Sequence, residues 1–171
     1  MRSLRDRGAG LARAISFARK AAFGPPPDFE SAVREVQHIR SRVAREASHE
    51  RDGLIDLKLG RGGLLDIEFL CQVLLIMHGG LAEAHADVGE TPRAIAVLTA
   101  GGALSPEDGR TLQEAYAFLR LLELRVRVMR GDAAHVIEEG SVRLPSIARR
   151  MGMRDHPTMP AKARLLERYR S

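Results

Sequence analysis

Asp56-Leu-Lys-Leu-Gly-Arg-Gly-Gly-Leu-Leu-Asp-Ile-Glu-Phe69 is the stretch on which the reading of the fold turns. Continued back to Leu54, its first part alternates apolar and polar residues and predicts a brief extended segment. Gly60-Arg-Gly-Gly63 predicts a glycine loop. From Leu64 to Met77 the chain is apolar on nearly every side, which predicts a central, buried helix, with Gly79-Gly80 as its stop signal. A glycine loop entering a helix suits anions, because the first helical N–H groups lack partners and the helix dipole favours negative charge there. Lys58 flanks the loop and Arg61 lies in it, so a point charge and a planar fork can converge on one phosphate across Gly60, Gly62 and Gly63. The pattern alone describes a tight turn before a helix better than a phosphate site, since Gly-x-Gly-Gly lacks the full phosphate-loop spacing.

Two carboxylates interrupt the apolar helix. Asp66 and Glu68 are costly to bury unless paired or functional. Two residues apart on a helix they point roughly 200° away from each other, so they do not make one paired-carboxylate metal site. Asp66, in the first turn, is expected near the loop and its cations, and Glu68 shares a face with Gln72. A salt bridge to an arginine accounts for either residue equally well.

Working outward, Leu4, Leu11, Ala14, Ile15 and Ala18 keep helical spacing until Gly24-Pro-Pro-Pro27 ends them. Val33, Val36, Ile39 and Val43 form a narrow apolar stripe between Phe29 and about Glu50, with Arg34, Glu35, Arg40, Arg42 and Arg45 on the rest of a surface helix. Thr91-Pro92 reads as an N-cap and first-turn proline, and Ser105-Pro106 repeats the pattern before the longest helix, which keeps its spacing from Leu112 to Met129. A loop follows, then a short helix through Ile147 to Met151 and a basic one from about Ala161 to Tyr169. The class is all-α: one domain over residues 1–171, a bundle of six to seven helices with the extended segment and glycine loop before the central helix.

Composition agrees. Hydrophobic residues make up 44% and charged residues 29% of the 171, aromatic residues only 4%, so the core is built from Leu, Ala, Val and Ile. A formal charge of +5, nearly all from arginine, suits an anionic partner. Cys71 has no disulfide partner and lies in an apolar run too short for a membrane span, which points to a reducing cytoplasm. The six histidines have no metal spacing, so no metal site is expected in the chain.

The Asp56–Phe69 segment resembles the helical domain that follows each nucleotidyltransferase domain in glutamine synthetase adenylyltransferase, with its D-I-K-L-G-x-G-G-I-x-D-I-E-F pattern. The resemblance continues through Gln72, His78-Gly79, Thr91, Leu98 to Leu104, and Tyr116-Ala-Phe-Leu-Arg120 with Glu123 and Arg125. It covers most of the chain from Leu11 to Gly152. Arg61 stands where the family varies, and the family's polar stretch before Leu144-Pro145 is matched only loosely by Asp132 to Gly140. The related uridylyltransferase of nitrogen signalling shares the domain type, but the wording here is closer to the adenylyltransferase. The resemblance implies an enzyme that adenylylates a tyrosine of glutamine synthetase with ATP, or removes that group by phosphorolysis, under control of glutamine and the PII signal protein. Its catalytic domain would hold two magnesium ions on an Asp-x-Asp pair. No Asp-x-Asp occurs here, so no catalytic residue is expected in this chain and it should be inactive alone. The alternative is a non-catalytic helical interaction or regulatory module. Nucleic acid is disfavoured as a partner, because Arg34–Arg45 are interleaved with Glu35 and Glu46 and aromatic residues for base stacking are scarce.

Overall fold

The computed structural model describes residues 29–47, 52–78, 90–130 and 135–171. The expected helix from Leu4 to Ala22, its proline linker and the Gly79-Gly80 stop lie outside them. Six helices and two short strands occur among the described residues, in the order α1 (Phe29–Ala47), β1 (Leu54–Asp56), α2 (Leu64–Met77), α3 (Thr91–Ala100), α4 (Pro106–Arg130), β2 (Val136–Glu138), α5 (Leu144–Arg150) and α6 (Ala161–Arg170). The chain is therefore all-α with a minor two-stranded sheet. It divides into two compact units, Met1–Ile39 with Glu68–Leu112, and Arg40–Ile67 with Gln113–Ser171. No helix among the described residues is long and apolar enough to cross a membrane.

In the first unit, α3 buries Ala94, Ile95, Val97 and Leu98, an i, i+1, i+3, i+4 set that makes one apolar face. Glu90, not the expected Thr91, is its N-cap, with no side-chain cap bond. Its carbonyl accepts from Arg93 and Ala94 N–H at 3.0 Å each. The start of α4 is capped as its sequence predicts. Ser105 Oγ accepts the Asp108 N–H at 3.0 Å and donates to the Asp108 carboxylate at 2.7 Å, so one serine satisfies an orphan amide and anchors an acid near the positive end of the helix dipole. One turn into α4, Gly109 meets Thr99 of α3, and a Cβ there would overlap the threonine hydroxyl. Glycine allows this close approach.

In the second unit, β1 pairs antiparallel with β2, Leu54 opposite Glu138, Ile55 opposite Ile137 and Asp56 opposite Val136. The sequence reading expects a loop where β2 lies. Ile55 and Ile137 are both buried, which gives this short ladder its apolar side. The α4 face formed by Tyr116, Leu119, Leu122 and Val126 is buried too, at the i, i+3, i+6, i+10 spacing of one helical stripe. α5 and α6 pack on each other through Leu144, Ile147, Leu165 and other buried residues. Asp155 ties the turn between them, accepting the Ala161 N–H at 2.9 Å and the Arg149 guanidinium at 3.0 Å. These donors, the Ala161 amide first, hold its carboxyl below the usual carboxylate range.

The apolar run of α2 is longer than the burial it achieves. Leu64, Ile67 and Cys71 are buried but Leu70 is 41% exposed, and Val73 to Met77 are half-buried.

Candidate functional site

The glycine loop folds back on itself between β1 and α2. Asp56, fully buried, organises its entry: Oδ1 accepts the Lys58 N–H at 3.1 Å and the Leu59 N–H at 2.8 Å. Its carbonyl accepts the Gly60 N–H at 2.9 Å. His135 Nε2 lies 3.6 Å from the same carboxylate oxygen, and His135 O accepts the Leu57 N–H at 2.9 Å. Asp56 therefore couples the loop to the segment leading into β2.

The start of α2 is closed by the loop's own backbone. Leu64 N–H donates to Leu57 O at 3.0 Å, Leu65 N–H to Lys58 O at 3.1 Å, and Gly63 N–H to Gly60 O and Asp66 N–H to Gly63 O, both at 3.1 Å. The Gly62 N–H donates to the Asp66 carboxylate at 2.8 Å. The expected unpaired amides are thus already satisfied, which corrects the physical basis of an anion cradle built from backbone N–H groups. Two glycines make this closure sterically feasible. Gly62 has φ +72°, in the left-handed region that glycine adopts without strain. A Cβ at Gly63 would lie 2.9–3.0 Å from the carbonyl oxygens of Leu57, Gly60 and Lys58.

The group that clamps the loop is one the sequence reading leaves on a solvated helix face. Arg40 donates through Nε and Nη2 to the two oxygens of Asp66, the latter at 3.0 Å. Nη2 also donates to Gly60 O at 2.9 Å. The arginine and aspartate side chains are 18% and 30% exposed, so this forked pair is partly shielded from water, where such bonds are stronger than at the surface. Asp66 thus does what the sequence predicts in lying near the loop. The cation held in its fork is Arg40, and no spacing rule links residues 26 apart.

Lys58 and Arg61 both have exposed side chains. Of the supporting residues, Glu68 is half-buried and Gln72 exposed, and both fall in the first unit. Glu68 acts on Cys71: burial, and then the Glu68 charge, push the thiol up to about 11, so Cys71 is a core thiol with negligible thiolate near neutrality. Among the described residues no group of three or more His, Cys, Asp or Glu could hold a metal ion. The donor set at the loop is cationic and suits phosphate oxygens.

The family described as GlnD PII-uridylyltransferase matches residues 32–171. The chain belongs to that family. Its relatives include proteins named bifunctional glutamine synthetase adenylyltransferase/adenylyl-removing enzyme. That of Streptomyces avermitilis is 40% identical over 128 residues, 73% of this chain and 12% of the relative. That of Stenotrophomonas maltophilia is 39% identical over 124 residues, 72% and 13% of the two chains. That of Corynebacterium efficiens is 40% identical over 126 residues, 73% and 11%. The chain therefore matches about an eighth of the length of these curated relatives. No solved structure matches it.

Proposed function

We propose that this chain is the helical, nucleotide-side domain of an enzyme that adenylylates or deadenylylates glutamine synthetase, and that it works only beside a nucleotidyltransferase catalytic domain. In this reading ATP, with magnesium held by the catalytic domain, presents its phosphates to Lys58 and Arg61. Gly60, Gly62 and Gly63 shape the loop that carries the two cations, Asp66 and Arg40 hold the loop on α2, and Glu68 and Gln72 support the helix beyond it. Glutamine synthetase is the protein substrate, the PII protein the regulator, and the cytoplasm the setting.

The observation that carries the proposal is the clamped loop. The amides of Gly60, Gly62 and Gly63 donate within it while two cationic side chains stay exposed on it. A rigid platform carrying positive charge can stabilise charge on transferring phosphoryl oxygens without reorganising. The test is reconstitution. Joined to its catalytic domain, the chain should support adenylyl transfer to, or removal from, glutamine synthetase, with no turnover alone. Lys58→Ala should lower the rate of the joined protein about 10- to 100-fold. Turnover by the isolated chain, or an unchanged rate in the Lys58→Ala protein, would remove the assignment.

A further inference from the structure

The positive charge of the chain is not evenly spread. Residues 141–171 hold eight arginines and lysines against two acids, a net +6, whereas the whole chain carries +5. Residues 1–140 are therefore close to neutral, and the excess belongs to the α5–α6 hairpin. One of its acids is already committed, because Asp155 holds Arg149 and the Ala161 amide. Arg170 pairs with Glu139 at 2.7 Å, and the Arg168 guanidinium sits 5.2 Å from the centre of the Phe118 ring. Arg150, Arg154, Lys162 and Arg164 have no carboxylate partner among the described residues. Arg164 donates to the Arg154 backbone carbonyl at 3.3 Å, which brings the Arg164 guanidinium to the turn that carries Arg154. Uncompensated cations gathered on one surface raise its potential and attract anionic partners.

The hairpin also carries an apolar feature. Met159, Ala163 and Leu166, with Glu167, Arg170 and Ser171, line a shallow depression of about 510 Å³. Lys162 and Arg164 flank Ala163 in the sequence, so the apolar depression lies beside uncompensated cations, and apolar contact next to charge is the anatomy of a protein interface. A nucleic acid backbone would use the cations but leave the depression empty, and of the two aromatic rings in the hairpin Tyr169 is half-buried and His156 bonds to Thr158, which leaves little open ring surface for base stacking.

We infer that the α5–α6 hairpin is a docking surface for an acidic amphipathic segment of a protein partner, its apolar residues seated on Met159, Ala163 and Leu166 and its carboxylates on Arg150, Arg154 and Arg164. This goes beyond the nucleotide reading and is independent of it, since the loop residues take no part. The probe is a fluorescein-labelled helical peptide with leucine on one face and glutamate on the other, titrated with the full chain and followed by fluorescence anisotropy. The peptide binds, and binding weakens as salt rises from about 50 to about 500 mM because exposed charges are screened. The Arg150→Glu/Arg154→Glu/Arg164→Glu variant loses at least about tenfold in affinity. The Arg93→Glu/Arg110→Glu variant, which reverses two exposed arginines outside the hairpin, loses less than about threefold. Circular dichroism checks that each variant is folded. Should the triple variant unfold, Ala163→Glu carries the test, because it places a repelling carboxylate in the depression and leaves the arginines intact. No binding at low salt overturns the inference, as does equal weakening by the Arg93/Arg110 control. An all-glutamate peptide without leucine binding as tightly, or a DNA duplex binding more tightly than the peptide, overturns it too.

Discussion

Gly63 has no room for a side chain. Three carbonyl oxygens, of Leu57, Lys58 and Gly60, surround the position of its absent Cβ, and the first two also accept the opening amides of α2. Gly63→Ala must push at least one of them aside and loosen a hydrogen bond. We expect a loss of about 1–3 kcal/mol in stability, read as a lower urea midpoint. An unchanged midpoint would mean that the loop yields without cost. The neighbouring Asp66 shows how far single-residue reasoning reaches. A carboxylate in the first turn of an apolar helix announces that it needs a partner. Its sequence neighbours suggest Lys58 and Arg61, yet the fork belongs to Arg40, 26 positions away. Such a pair is written in tertiary structure, and local spacing does not encode it.

Among the elements, α4 followed from Ser105-Pro106 and the recurring apolar positions, because capping and helical periodicity are both local. The strand β2 was not legible. It is three residues long, and its apolar side makes sense only opposite Ile55, more than 80 positions earlier. The α3–α4 approach is likewise a pairwise property. Gly109 looks like a weak point in a helix, but its place against Thr99 gives it a reason. Gly109→Ala should destabilise the protein by about 1–3 kcal/mol through overpacking. Adding Thr99→Ala should recover part of that loss, because the two changes share one contact. Thermal melts of the single and double variants check this. Additive losses would show that Gly109 answers to something other than Thr99.

For the whole molecule, the helical class was legible because amphipathic stripes and punctuating glycines and prolines recur along the chain. The extent of burial was less so: α2 reads as buried throughout, yet it leaves Leu70 open. The candidate site was half legible. The loop residues and Asp66 stood out by type and spacing. The amides of Gly60, Gly62 and Gly63 donate within the loop, which moves the proposed phosphate contacts from the amides to the side chains of Lys58 and Arg61. The account therefore rests on those side chains meeting nucleotide phosphates once the catalytic domain is present. Equilibrium binding of magnesium–ATP to the two-domain protein tests this most directly. Lys58→Ala should weaken binding about tenfold, close to 1.4 kcal/mol, while Arg93→Ala leaves it unchanged. Wild-type affinity in the Lys58→Ala protein would contradict the account.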